Sequence, residues 1–158
     1  RGGGFRVRQS QKNKLQQKKA QKGSNGKYSR ACGDCSACCT VVKVIDLEPP
    51  KPRQTPCQHL ANERGCEIYE TRPDGCKNFQ CLWSIGHPLF TGAMRPDVFG
   101  IVAWIEQTDY GNTYIVDEVV AGAFDGKNVK EVLRKLGAHM SLMILGKDNK
   151  RSVVVRKK

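Results

Sequence analysis

Residues 32–39 read Cys32-Gly33-Asp34-Cys35-Ser36-Ala37-Cys38-Cys39, four thiols in eight positions, and all eight cysteines of the 158-residue chain fall between Cys32 and Cys81. Crowding of this kind suits thiolates converging on a metal better than bridges stapling distant loops. Cys32/Cys35 and Cys35/Cys38 each have two intervening residues, a spacing that lets paired sulfurs reach a common zinc, copper(I) or iron-sulfur iron. Cys57, Cys66, Cys76 and Cys81 make a second set. Eight thiolates suffice for two four-cysteine sites, or for one cluster with spare or structural cysteines. Adjacent Cys38 and Cys39 point in different directions and would not serve one site identically. The segment around them is short of apolar residues, so metal ligation is expected to supply its folding energy.

Working outward, Thr40-Val41-Val42-Lys43-Val44-Ile45 reads as a strand, and the prolines of Glu48-Pro49-Pro50-Lys51-Pro52-Arg53 make a stiff surface connection. Asn78 to Trp83 reads as one helical turn. Further on, Val98 to Ile105 and Thr113 to Val119 read as strands joined by a loop longer than two residues. Val129, Val132, Leu133 and Leu136 share one helical face, with Gly137 as a stop, and Leu142 to Leu145 and Ser152 to Val155 form a second hairpin. The order β-β-α-β-β predicts a small antiparallel sheet with one covering helix. The expected fold class is therefore α+β: a cysteine-rich, metal-stapled module over 31–95 joined to a ββαββ body over 96–158 with a basic tail, preceded by a basic arm over 1–30.

The charge is as unevenly distributed as the sulfur. Residues 1–30 hold Arg1, Arg6, Arg8, Lys12, Lys14, Lys18, Lys19, Lys22, Lys27 and Arg30 without one acid, whereas the other 128 residues hold 17 basic and 15 acidic side chains. The net +12 thus resides in the arm. With no periodic apolar positions, the arm is expected to be disordered alone and ordered by a partner. Ten positive charges gain affinity by releasing counterions from nucleic acid, with Arg6 and Arg8 able to clamp phosphates bidentately. RNA is favoured over DNA, since basic extensions fold onto irregular RNA surfaces. The arm lacks the sustained apolar face of a membrane-surface helix, and no run of 18 apolar residues occurs, so a membrane partner is not expected.

From Cys32 to Trp83 the chain resembles a known family. The CxxCxxCC start, Pro56-Cys57-Gln58-His59-Leu60, Gly65-Cys66-Glu67-Ile68-Tyr69-Glu70, Arg72-Pro73 and Cys76-Lys77-Asn78-Phe79-Gln80-Cys81-Leu82-Trp83 are similar to the YkgJ-type zinc- or iron-chelating family of small cysteine-cluster proteins. Met94 to Gly100 resembles the continuation in some members. The resemblance covers roughly 32–100 and implies that Cys32, Cys35, Cys38, Cys39, Cys57, Cys66, Cys76 and Cys81 are the metal ligands, of zinc or an iron-sulfur cluster.

The remaining candidates read plainly. His59 and His87 are spare ligands only if a cysteine is excluded, and His139 is a surface or capping residue. Asp97, Glu106, Asp109, Asp117 and Glu118 read as solvent-facing strand and turn residues rather than an acid–base pair. Tyr69, Phe79, Trp83 and Trp104 read as packing. No nucleophile–histidine–carboxylate order, phosphate-cradling glycine loop or small-molecule substrate site stands out. The expected function is that of a noncatalytic metal-binding accessory or assembly protein docking on a nucleic-acid-containing complex, a ribonucleoprotein by preference. A viral or other particle component with its arm threaded between subunits is the second reading, and an iron-sulfur redox or metal-dependent enzyme the third. Thiolate ligation favours a reducing cytoplasmic setting, or a virion on the particle reading.

Overall fold

A computed structural model describes residues 29–61 and 65–156; nine of the ten basic arm residues, Arg1 to Lys27, lie outside them, as do 62–64 and the last two lysines. In chain order the elements are α1 (Ala37–Val41), α2 (Asp74–Asn78), α3 (Pro96–Phe99), β1 (Ile101–Thr108), β2 (Gly111–Glu118), a 3-10 turn (Ala123–Asp125), α4 (Lys127–His139), β3 (Ser141–Leu145) and β4 (Arg151–Val154). Among the described residues no helix is long and apolar enough to cross a membrane.

The sheet runs β1-β2-β3-β4 and is mixed, which corrects the antiparallel expectation. β1 and β2 pair antiparallel from Ile101↔Glu118 to Thr108↔Gly111, leaving only Asp109 and Tyr110 as the loop. β2 then pairs with β3 in parallel, Thr113↔Ser141 to Asp117↔Leu145, and β3 with β4 antiparallel. The reason is connectivity. A helix between two neighbouring strands carries the chain back to the end at which the first strand began, so the second runs in the same direction. α4 is that crossover. Its apolar face, Val129, Val132 and Leu136, is buried as the periodicity predicts, but Gly137 lies inside the helix, which continues to His139.

Both faces of the sheet are covered. Cross-strand partners point to the same side, so Val102, Trp104, Ile115 and Asp117 share one face and Ala103, Tyr114 and Val116 the other. α4 packs on the second face, with Gly137 facing Leu142. On the first face Phe79 meets Trp104 edge-on at 5.5 Å, and Arg53 ion-pairs with Asp117. Double coverage explains why Ile101–Trp104 and Thr113–Glu118 are buried without alternation.

Among the described residues no metal-holding group staples the cysteine-rich segment, the second correction to the expected fold class. Its apolar residues Val41, Val42, Cys81, Leu82 and Trp83 join Ile101, Val102, Ile115, Val116 and Leu136 in one core cluster. Leu82 N–H donates to Ala103 O on β1 at 2.7 Å. Thr40 to Ile45 is not a strand. α1 takes Thr40 and Val41, and only Val44 makes a bridge, with Lys51. The short helix near Asn78 ends there rather than beginning, as Phe79 is extended. Val98 and Phe99 belong to α3, which Gly100 closes at φ 87, a left-handed conformation that admits glycine readily. A Cβ at Gly100 would also come within 2.7 Å of Ala123 Cβ.

Candidate functional site

The eight cysteines are all free thiols, spread over different supports. Cys32 and Cys35 flank a turn closed by Cys35 N–H donating to Cys32 O at 3.0 Å. Cys38 and Cys39 occupy consecutive positions of α1, about 100° apart around the helix axis. Cys57 reaches α1 through its backbone, N–H donating to Cys39 O at 2.8 Å, Cys66 bridges Leu60, and Cys76 lies in α2. Cys81 is buried, its sulfur accepting Ser84 N–H at 3.4 Å.

Among the described residues no three Cys, His, Asp or Glu side chains form a group able to hold a metal ion. The zinc or iron-sulfur cofactor, the ligand role implied for the cysteines, and the metal-binding accessory or assembly reading built on them are corrected accordingly. Sequence spacing fixes reach but not direction. In the folded chain the pKa values of five of the thiols are raised. Burial pushes Cys35 and Cys76 up to about 11 and raises Cys32 and Cys66. Cys38 is raised first because it donates its S–H to Cys39, then by burial.

Cys39 is the exception. The S–H of Cys38 supports its thiolate, Lys51 and Arg72 add positive charge, and together they bring it down to about 7 against the opposing effect of burial. The prolines of 49–52 had suggested a surface connection, yet Lys51 is buried. Its ammonium donates to the carbonyls of Val42 and Pro52. Lys51 carries no sequence signal of its own, and Arg72 entered only as part of the Arg72-Pro73 pair in the resemblance, without a role. Each is a single basic residue between prolines or beside one, and only the folded chain turns them towards α1. The histidines have other partners: His59 contacts the Gln58 amide at 3.2 Å, and His87 Nε2 contacts Tyr114 Oη at 3.2 Å.

The acidic candidates divide. Asp117 and Glu118, read as solvent-facing, are buried instead. Asp117 binds Arg53 through both carboxylate oxygens, with the guanidinium 5.5 Å from the Trp104 ring centroid. Burial nevertheless raises the Asp117 pKa, outweighing Arg53. Glu118 accepts Phe124 N–H at 3.2 Å and Lys147 N–H at 2.8 Å, tying the helix approach to the β3–β4 loop. Asp97 pairs with Arg95. These are structural ties.

The described chain begins where the basic segment ends. Ser29 and Arg30 N–H both donate to Ser84 O, at 2.9 and 3.0 Å. The Arg30 guanidinium donates to Trp83 O at 2.9 Å and lies 5.7 Å from the Trp83 ring centroid. At Gly86, φ is 74 and the Ser29 hydroxyl occupies the space a Cβ would take. Beside this anchor, Asn78, Phe79, Gln80, Leu82, Ile85, Trp104 and Ile105 line a shallow groove, apolar and aromatic with two amide side chains.

Comparison with family models, curated proteins and solved structures yields no match. The resemblance to the YkgJ-type family is thereby corrected: no family model matches, and among the described residues the implied ligand group does not form.

Proposed function

We propose that the chain binds nucleic acid, single-stranded RNA by preference, through the phosphate-directed charges of residues 1–30. The observation that carries this is the segregation of charge: ten basic residues without an acid precede a body that is nearly balanced. Arg30 and Ser29 support it by fixing the end of that segment on Trp83 and Ser84. The neighbouring groove adds surfaces on which a splayed base can rest, a mode that unpaired RNA permits and a closed duplex does not.

Binding of this origin is dominated by counterion release, so its strength falls steeply with salt. If most of the ten charges engage, the logarithm of affinity for a labelled oligouridylate falls with the logarithm of salt at a slope of roughly −5 to −7. Changing Lys12, Lys14, Lys18, Lys19 and Lys22 together to Gln reduces that slope by about 3 to 4. Fluorescence anisotropy between about 50 and 200 mM salt measures both. An unchanged slope in the five-fold variant overturns the assignment to the basic segment. Tighter binding to duplex DNA than to the single strand overturns the preference for RNA.

A further inference from the structure

β4 is an outer strand of the sheet, and among the described residues no strand pairs with its far side. Residues 151–156 are all exposed. The opposite edge is covered in part, since Leu82 N–H donates to Ala103 O on β1. Which backbone groups β4 leaves open follows from its pairing. Gly146 N–H donates to Lys150 O at 3.0 Å and Arg156 N–H to Ser141 Oγ at 3.2 Å, so the even-numbered residues turn their backbone groups towards β3. Successive residues of an antiparallel pair alternate in this respect, so Arg151, Val153 and Val155 direct N–H and C=O away from the sheet. The register with β3 runs one residue to one, from Leu145↔Arg151 to Leu142↔Val154, and keeps this row in line.

The charge around the row selects what can pair with it. Residues 147–158 hold Lys147, Lys150, Arg151, Arg156, Lys157 and Lys158 against Asp148 alone. Asp148 is engaged by Lys150 at 3.0 Å, and among the described residues Arg151 has no ion pair. Between the basic ends lie three consecutive valines, Val153, Val154 and Val155, exposed by 37, 55 and 49%. A second copy would bring an edge of the same sign, and like charges facing each other across a strand pair are destabilising. Residues 1–30, basic without an acid, complement the edge no better. A nucleic acid would answer the charge but neither the row of open N–H and C=O groups nor the valines.

We propose that β4 is the docking edge for an extended segment of a partner protein, apolar at its centre and acidic at its ends, which adds to the four-stranded sheet as a further strand. Its main chain bonds to Arg151, Val153 and Val155, its apolar centre lies beside the valines, and its carboxylates meet Arg151 and Arg156. Basic flanks then have a double effect. They keep like-charged edges off an open strand and admit an acidic one. The site is separate from residues 1–30 and does not rest on their binding nucleic acid.

The test uses the full chain, isotopically labelled, with a peptide of valine, threonine and valine flanked on each side by two glutamates. Amide exchange is followed residue by residue by NMR. The Val153 and Val155 amides are expected to exchange fast in the chain alone and about ten-fold or more slowly with saturating peptide, while that of Val154, turned to β3, changes little. N-methylating two adjacent central residues of the peptide removes a donor from each of its edges without altering its charge, and is expected to weaken binding about ten-fold. Arg151→Glu, which keeps the backbone row, is expected to weaken it about five-fold. Unchanged exchange at Val153 and Val155 overturns the proposal. Equal binding of the methylated peptide, or signal changes confined to residues 1–30, overturns it too, because charge alone then holds the peptide. An unchanged affinity in Arg151→Glu overturns the acidic character of the partner. Protection by oligouridylate but not by the peptide assigns the edge to nucleic acid, and protection that grows with protein concentration alone assigns it to a second copy. Either result overturns the partner named here.

Discussion

Protonating His87 removes a hydrogen-bond acceptor. Its Nδ1 accepts Leu89 N–H at 3.3 Å, which leaves Nε2 as the donor towards Tyr114. Burial, and then the nearby His139, lower its pKa below the usual 6.5. The unfolded chain therefore binds more protons than the folded chain as pH falls through 6.5, and stability falls with it until the lowered folded value is passed. Denaturant titrations from pH 7.5 to 5 are expected to show this loss, and His87→Gln to reduce it. Arg53 is a second decisive residue. Replacing it with Ala strands Asp117, which is fully buried, and is expected to cost about 3 kcal/mol by chemical denaturation. A cost below about 1 kcal/mol would mean that the Asp117 carboxyl simply takes up a proton. At this scale residue type was legible and environment was not. Asp117 and Lys51 look like surface residues in a linear reading because what buries them comes from distant parts of the chain, 64 residues away for the Arg53 partner of Asp117.

The helix α4 decides the topology of the sheet, and its apolar stripe decides the position of α4. Leu136 is wholly buried, so Leu136→Ala is expected to destabilise the fold by about 2–5 kcal/mol, measured as a lower denaturation midpoint at unchanged slope. The stripe was readable because it repeats at the helical period within thirteen residues. β1 and β2 were readable for a similar reason, although their ends shifted where Gly100 and Gly111 change the backbone direction. The segment from Thr40 to Ile45 misled because β-branched residues favour a strand only when a partner strand is available. Here Cys38 and Val42 close a helical turn instead, Val42 N–H donating to Cys38 O at 3.0 Å.

Across the whole molecule, charge and sulfur are kept in separate stretches of one chain. The basic segment ends at Arg30, and the thiols follow it from Cys32 to Cys81. Truncating Phe79 to Ala is expected to weaken oligouridylate binding about 5- to 30-fold if bases stack in the groove it lines, while leaving affinity for heparin, a polyanion without bases, unchanged. Equal losses for both ligands would place the contribution of Phe79 in the fold rather than in base contact. The sequence by itself determined the charge segregation, the two hairpins and the amphipathic helix, because each follows from properties summed or repeated over neighbouring residues. Only the tertiary structure decided that β2 and β3 run parallel, that the eight thiols do not gather into a metal-holding group, and that Lys51 is buried with its ammonium on the carbonyl of Val42. Direction and burial are set by packing between residues far apart in the chain, and spacing along the chain does not encode them.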